Sequence, residues 1–213
     1  ELIESHLQLS MTVKESALSI SQTLIDGINK RNKATLVVCG GSSPVLLFNE
    51  LSLNDLDWSK VIIFLGDDRV VDSTHIDSNE KLIKQELLIN NAKKASFISL
   101  ISSPDRILGQ DLPFDMMILG VGYDGHFASL FPSMIQDDCL DPYATPNLVY
   151  TDVQGEPPHK RVSMNLAMIL NSQRCLLLVN NANKHKVIED GRENRDLPIF
   201  YLLNQTKLKI EIP

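Results

Sequence analysis

Leu119-Gly120-Val121-Gly122-Tyr123-Asp124-Gly125-His126-Phe127-Ala128-Ser129-Leu130-Phe131-Pro132 is the stretch whose reading decides the fold. It follows the apolar run Phe114 to Leu119, which has the composition of a buried strand. Three glycines then stop that strand in a sharp turn. Gly120, Gly122 and Gly125 match the dinucleotide spacing GxGxxG, but the context does not fit. The stretch sits mid-chain and Pro132 cuts short the long helix that fingerprint needs. No second strand ends in an acidic residue at the expected distance. The turn instead presents Asp124 and His126 at a strand end. A neutral imidazole there can take a proton from water near pH 7. The bland alternative, a structural histidine, is weaker for a His so close to two glycines.

Outward from this turn the same grammar repeats. Thr35–Cys39, Val61–Leu65, Phe97–Leu100, Cys175–Val179 and Leu208–Ile212 are short apolar runs of strand type. Between them lie helical patterns. Val13, Ala17, Ile20, Leu24 and Ile28 recur every three or four residues. Ser43-Pro44 has the N-cap and N1 types that open a helix, and Ser78 can cap one running to about Ile89. Lys184–Glu189 and Pro198–Leu203 complete the helical set. Leu148–Thr151 and Arg161–Leu166 read as extended. Asp141–Pro158 reads as a long loop bordering the site. Strands alternating with helices, the strands continuously apolar, predict an α/β fold: a doubly wound, mainly parallel sheet with helices on both faces, Rossmann-like in outline. No repeat or linker interrupts it, so residues 1–213 are expected to form a single domain.

Composition narrows the function. The 213 residues carry a net charge of -7 with 22% charged residues. A general nucleic-acid surface needs a basic face, so no nucleic-acid partner is expected. A local cationic pocket for a small anion is still compatible with that charge. No run approaches the ~18 apolar residues of a membrane span, so no membrane partner is expected either. Cys39, Cys139 and Cys175 are scattered and odd in number, which fits a reduced, cytoplasmic setting. No leader-type segment is visible in the chain, which opens at Glu1. A monomer or weak homo-oligomer is expected.

Three polar clusters follow strand ends, where α/β sheets bind ligands. Gly40-Gly41-Ser42-Ser43 lets backbone N–H groups approach an anion at a helix start, or is simply a tight turn with a Ser cap. Asp67-Asp68-Arg69 offers a fork for phosphate and a carboxylate to orient water, or is a surface ion pair. Asp124-Gly125-His126 is the third. Arg161, beside His159 and Lys160, and Lys184, flanking His185, are cations that can reach a cleft or face solvent. His6, His75, His159 and His185 show no metal-type spacing, and neither HExxH nor CxxC occurs, so no metal or other cofactor is expected. The absence of GxSxG argues against a serine nucleophile.

Together these segments resemble the 6-phosphogluconolactonase family, within the larger glucosamine-6-phosphate isomerase group. The resemblance runs from about Thr35 to Leu203. It is carried by Cys39-Gly40-Gly41-Ser42-Ser43-Pro44, Gly66-Asp67-Asp68-Arg69, Asp77-Ser78-Asn79, Leu119–Pro132, Arg161-Val162-Ser163 and Lys184. It implies a small-molecule substrate, a phosphorylated sugar lactone. His126 would be the general base and Asp67 would hold or polarise the chemistry. Arg69 and Lys184 would bind phosphate, with Ser42 and Arg161 assisting, and Gly41, Asp124 and Gly125 would complete the substrate site. Backbone N–H groups near Gly41 or Gly122 would stabilise an oxyanion. The chain departs from the family in Asp68 for Glu, Ser163 for Thr, and Asn181-Ala182-Asn183 where glycine usually precedes the lysine. Two alternatives stand beside this reading. In glucosamine-6-phosphate deaminases a catalytic glutamate follows the Asp-Gly-His turn. It would fall at Phe131, which cannot transfer a proton. A non-catalytic sugar-phosphate sensor is the other, an analogy of fold alone.

Overall fold

The computed structural model describes the backbone of residues 2–213 and the side chains from Val13 onward; the side chain of His6 lies outside the described residues. In chain order the first half runs α1 Leu2–Arg31, β1 Ala34–Val38, α2 Val45–Leu53, β2 Val61–Leu65, β3 Asp67–Arg69, α3 Asn79–Glu86, β4 Ser96–Ile98 and α4 Pro104–Leu108. The second half runs β5 Phe114–Gly120, β6 Leu148–Gln154, β7 His159–Met164, α5 Leu166–Leu170, β8 Ser172–Leu178, α6 Ala182–Gly191, α7 Pro198–Leu203 and β9 Ile210–Glu211.

Six strands form one parallel sheet in the order β4-β2-β1-β5-β8-β9. Every residue of β1 is buried, so both faces of that strand are covered, which is why its sequence is continuously apolar. The chain builds outward from β1 through β2 to β4, then β5 returns to the other side of β1 and the order continues to β8 and β9. Loops leaving β1 and β5 therefore diverge, and a crevice opens outside their carboxyl ends.

The opposite end of the sheet is tied by Asp115 on β5. Its carboxylate accepts from Thr35 N at 2.9 Å, Thr35 Oγ1 at 3.0 Å and Gln173 Nε2 at 2.9 Å, and it pairs with Arg31 at the end of α1. Four elements thus meet on one buried carboxylate. Ala17, Ile20 and Leu24 of α1 are buried, the stripe its periodicity predicts. Among the described residues, no helix is long and apolar enough to cross a membrane.

The structure corrects the sequence reading in three places. Asp67–Arg69 does not end β2. It is a separate strand, β3, in an antiparallel sheet ordered β3-β7-β6. The stretch Asp141–Pro158 is not a loop throughout, because it holds β6. The α2 cap also shifts by one residue: Pro44 occupies the N-cap, with no side-chain cap bond. The hydroxyl of Ser43 serves Lys184 instead. The Ser78 cap on α3 stands where it was read, accepting from Lys81 N.

Candidate active site

A cavity of about 230 Å³ lies where the loops after β1 and β5 diverge. Its walls include Gly40–Ser43 after β1, Asp67 and Arg69 on β3, Gly120–Tyr123 and His126 after β5, Arg161 on β7 and Lys184 on α6. Of the residues singled out from the sequence, Gly41, Ser42, Asp67, Arg69, His126, Arg161 and Lys184 all line it. Asp124 and Gly125 do not.

The turn after β5 shows why. Gly122 N donates to His126 O at 2.8 Å, closing the loop on itself. A Cβ at Gly122 would fall 2.2 Å from His126 Cε1, so only glycine lets the imidazole fold against this backbone. Asp124 stands behind the ring, its Oδ1 2.5 Å from Nδ1. Burial raises the Asp124 pKa, but the bond and charge of His126 more than offset this and the net shift is downward. An ionised Asp124 is an acceptor for Nδ1–H, the pairing that in a neutral imidazole puts the lone pair on Nε2. Gly125 faces away from the cavity. Its carbonyl accepts from Ile199 N at 2.9 Å and it packs on Leu197, docking the turn onto α7. The Gly122 amide, given to His126 O, is withdrawn as an oxyanion donor.

The opposite wall is cationic. Arg69 Nη1 donates to Asn79 Oδ1 at 2.6 Å and to Asp77 O at 2.9 Å. Arg161 Nη2 donates to Pro157 O at 2.9 Å, and its guanidinium lies 5.6 Å from the Phe131 ring centroid. The Nε atoms of both arginines are buried without a hydrogen-bond partner. A buried N–H is costly to leave unpaired. Burial, then the neighbouring Arg69, lowers the Arg161 pKa. Burial likewise lowers that of Lys184, whose Nζ lies 2.8 Å from Ser43 Oγ. An anion bound beside these groups would offset the cost of their burial and the Arg69–Arg161 repulsion.

Several residues that shape the cavity stood in the segments quoted from the sequence but were given no place in the site. Asn79 donates to Asp67 O at 2.9 Å while accepting from Arg69, and it packs so closely that a Cβ on Gly40 would fall 1.9 Å from its Oδ1. Ser129 Oγ donates to Asp67 Oδ2 at 2.5 Å. The Phe131 ring centroid lies 4.7 Å from that of His126, and the Arg161 guanidinium lies over the same phenyl ring. Ser129 and Phe131 lie inside the decisive stretch, so position was a signal. For Asn79 the signals were its place after the Ser78 cap and the family resemblance of Asp77-Ser78-Asn79. Ala128 lines the cavity at φ 47°, left-handed backbone that strains a non-glycine residue. Cys39 also lines the cavity, and burial, aided by Asp67, pushes its thiol up to about 12, so it is inert as a nucleophile.

The family profile described as glucosamine-6-phosphate isomerases/6-phosphogluconolactonase matches residues 8–210. A 6-phosphogluconolactonase of Neisseria meningitidis is 35% identical, the alignment covering 89% of this chain and 90% of the relative. One of Helicobacter pylori is 34% identical over 87% of this chain and 85% of its own. The crystal structure of a 6-phosphogluconolactonase from Shewanella baltica superposes with a TM-score of 0.86 at 31% identity, covering 95% of this chain and 93% of that one. A monomeric glucosamine-6-phosphate deaminase shares the fold, with a TM-score of 0.70 at 17% identity over 94% of this chain and 92% of that one.

Proposed function

Because this chain belongs to the glucosamine-6-phosphate isomerase/6-phosphogluconolactonase family and hydrolyses 6-phospho-D-glucono-1,5-lactone to 6-phospho-D-gluconate in the pentose phosphate pathway, we propose that His126 is its general base. The carrying observation is the Asp124–His126 pair, which holds Nδ1 and leaves Nε2 for a cavity walled by Arg69, Arg161 and Lys184.

In the proposed step Nε2 takes a proton from water as the water oxygen bonds to the lactone carbonyl carbon. The carbonyl electrons move to oxygen. When they return, the bond to the ring oxygen breaks, and the imidazolium gives its proton to that oxygen. Atoms and charge balance, and His126 ends neutral. Arg69 and Lys184 hold the phosphate, with Ser42 and Arg161 assisting. The two orphaned Nε donors support this assignment. Asp67, fixed by Ser129, orients a substrate hydroxyl or the water. Gly41 remains the candidate oxyanion donor. The phosphate thereby anchors the ring against Nε2, so binding remote from the reacting carbon serves positioning.

His126→Ala is expected to lower kcat by about 10²–10⁴-fold above the spontaneous reaction while retaining affinity for 6-phosphogluconate. A coupled assay with background subtraction measures this, and near wild-type turnover refutes the assignment. The deaminase reading is disfavoured by Phe131, whose buried ring stacks on the base where a proton-transferring glutamate would be needed. Buried apolar packing continuous from Ala17 to Leu202 supports reading 1–213 as one domain, and a cytoplasmic monomer or weak homo-oligomer completes the proposal.

A further inference from the structure

His75, Asp77 and His159 converge outside the lactone cavity. None of the three lines it. His75 and Asp77 come from the loop between β3 and α3, and His159 opens β7. One ligand-type atom from each lies within 4.8 Å of the other two. His159 Nε2 is 2.8 Å from Asp77 Oδ2, and His75 Nδ1 is 3.7 Å from the same oxygen. The rings meet edge to face with centroids 5.6 Å apart.

These separations bracket what a tetrahedral ion requires. Zinc–nitrogen and zinc–oxygen bonds of ~2.0–2.1 Å put neighbouring ligand atoms about 3.3 Å apart. The two measured separations fall either side of that value, so small side-chain rotations suffice. His75 Nδ1 also accepts from the backbone N–H of Asp77 at 3.1 Å, and that amide is at the surface, where water can replace the ring. Two imidazoles and one carboxylate are the donor set of borderline first-row divalent ions. They are a poor set for magnesium or calcium, which prefer all-oxygen shells.

The geometry points to a second site on this protein: a zinc-type divalent cation held by His75, Asp77 and His159, with solvent in the fourth position. The ion joins segments 82 residues apart in sequence. It sits behind the cationic wall, since the Asp77 carbonyl accepts from Arg69 and Asn79 follows two residues on. Its occupancy therefore restrains the loop that backs Arg69. This inference is independent of the role given to His126, because it shares no residue with the Asp124–His126 pair.

The test is zinc binding to chelator-treated, dialysed protein, by calorimetry and by metal analysis after gel filtration. One zinc per chain is expected, with His75→Ala and His159→Ala each weakening binding at least tenfold and His185→Ala leaving it unchanged. His159→Gln, which keeps a donor to Asp77, guards against a folding defect and is expected to lose zinc in the same way. Zinc at about a hundred times its Kd is expected to raise Tm by several degrees in the wild type and not in His159→Gln. Absence of stoichiometric zinc in the wild type overturns the site. So does undiminished affinity in the His75→Ala/His159→Ala double variant, and so does loss of zinc on His126→Ala with retention in the double variant.

Discussion

His126 has a carboxylate at one ring nitrogen and a phenyl ring against its side. The carboxylate decides which nitrogen carries the proton. Asp124→Asn keeps the shape but can offer its NH₂ to Nδ1, which favours the wrong tautomer. It is expected to lower kcat by about 10²-fold or more with KM within a few-fold, measured by steady-state kinetics on the phosphorylated lactone. Arg69 is separable from this chemistry. Arg69→Ala is expected to raise KM for the phosphorylated lactone at least tenfold and to change that for glucono-1,5-lactone far less; equal effects on both remove it from the phosphate. At this scale the sequence was informative about groups that stand at strand ends, such as His126 and Arg69. It set Asn79 and Ser129 within family-like segments but was silent about the distant contacts they make. Asn79 matters through Asp67, Arg69 and Gly40, and Ser129 through Asp67, and no local pattern encodes those pairings.

The junction of β3 with α3 shows how an element can be disguised. A three-residue polar strand pairing Asp67 with Ser163 has neither the length nor the alternation that marks a strand. Ser78, by contrast, announced its helix, because capping is a local bond; Ser78→Ala is expected to cost about 1 kcal/mol in urea unfolding. The same junction buries Asp68, whose carboxylate accepts from the backbone N–H groups of Arg69, Asn79 and Glu80. Burial outweighs those bonds and raises its pKa from 3.8 to about 6. The folded state thus holds this proton more tightly than the unfolded chain does. The resulting stabilisation is complete below the unfolded value and is lost as pH rises through about 6. Asp68→Asn does not titrate. Its stability relative to wild type is expected to improve between pH 4 and 7 by an amount on the order of 1–3 kcal/mol, read from urea midpoints across that range. A difference that stays flat with pH would show that Asp68 is not held protonated.

Across the whole molecule, burial on both sheet faces wrote itself into the sequence as unbroken apolar runs, so the α/β class was legible. Strand order was not, because which strand neighbours β1 depends on helix crossings that leave no local trace. Nor did spacing show that His75 and His159 share a corner with Asp77, since 84 positions separate the two rings in the sequence. The placement of the cavity carries one last consequence. Its arginines stand on β3 and β7 of one sheet, its imidazole on the turn after β5 of the other and its lysine on α6, so the two walls are carried by separate parts of the fold. On the roles proposed for Arg69, Lys184 and His126, the cavity serves as a gauge that matches a lactone whose charged tail and electrophilic carbon span the gap. A phosphorylated five-carbon lactone should therefore dock its tail and leave the carbonyl out of reach, with kcat reduced at least a hundredfold and affinity largely kept. Comparable turnover of the two chain lengths would mean the gap is not rigid.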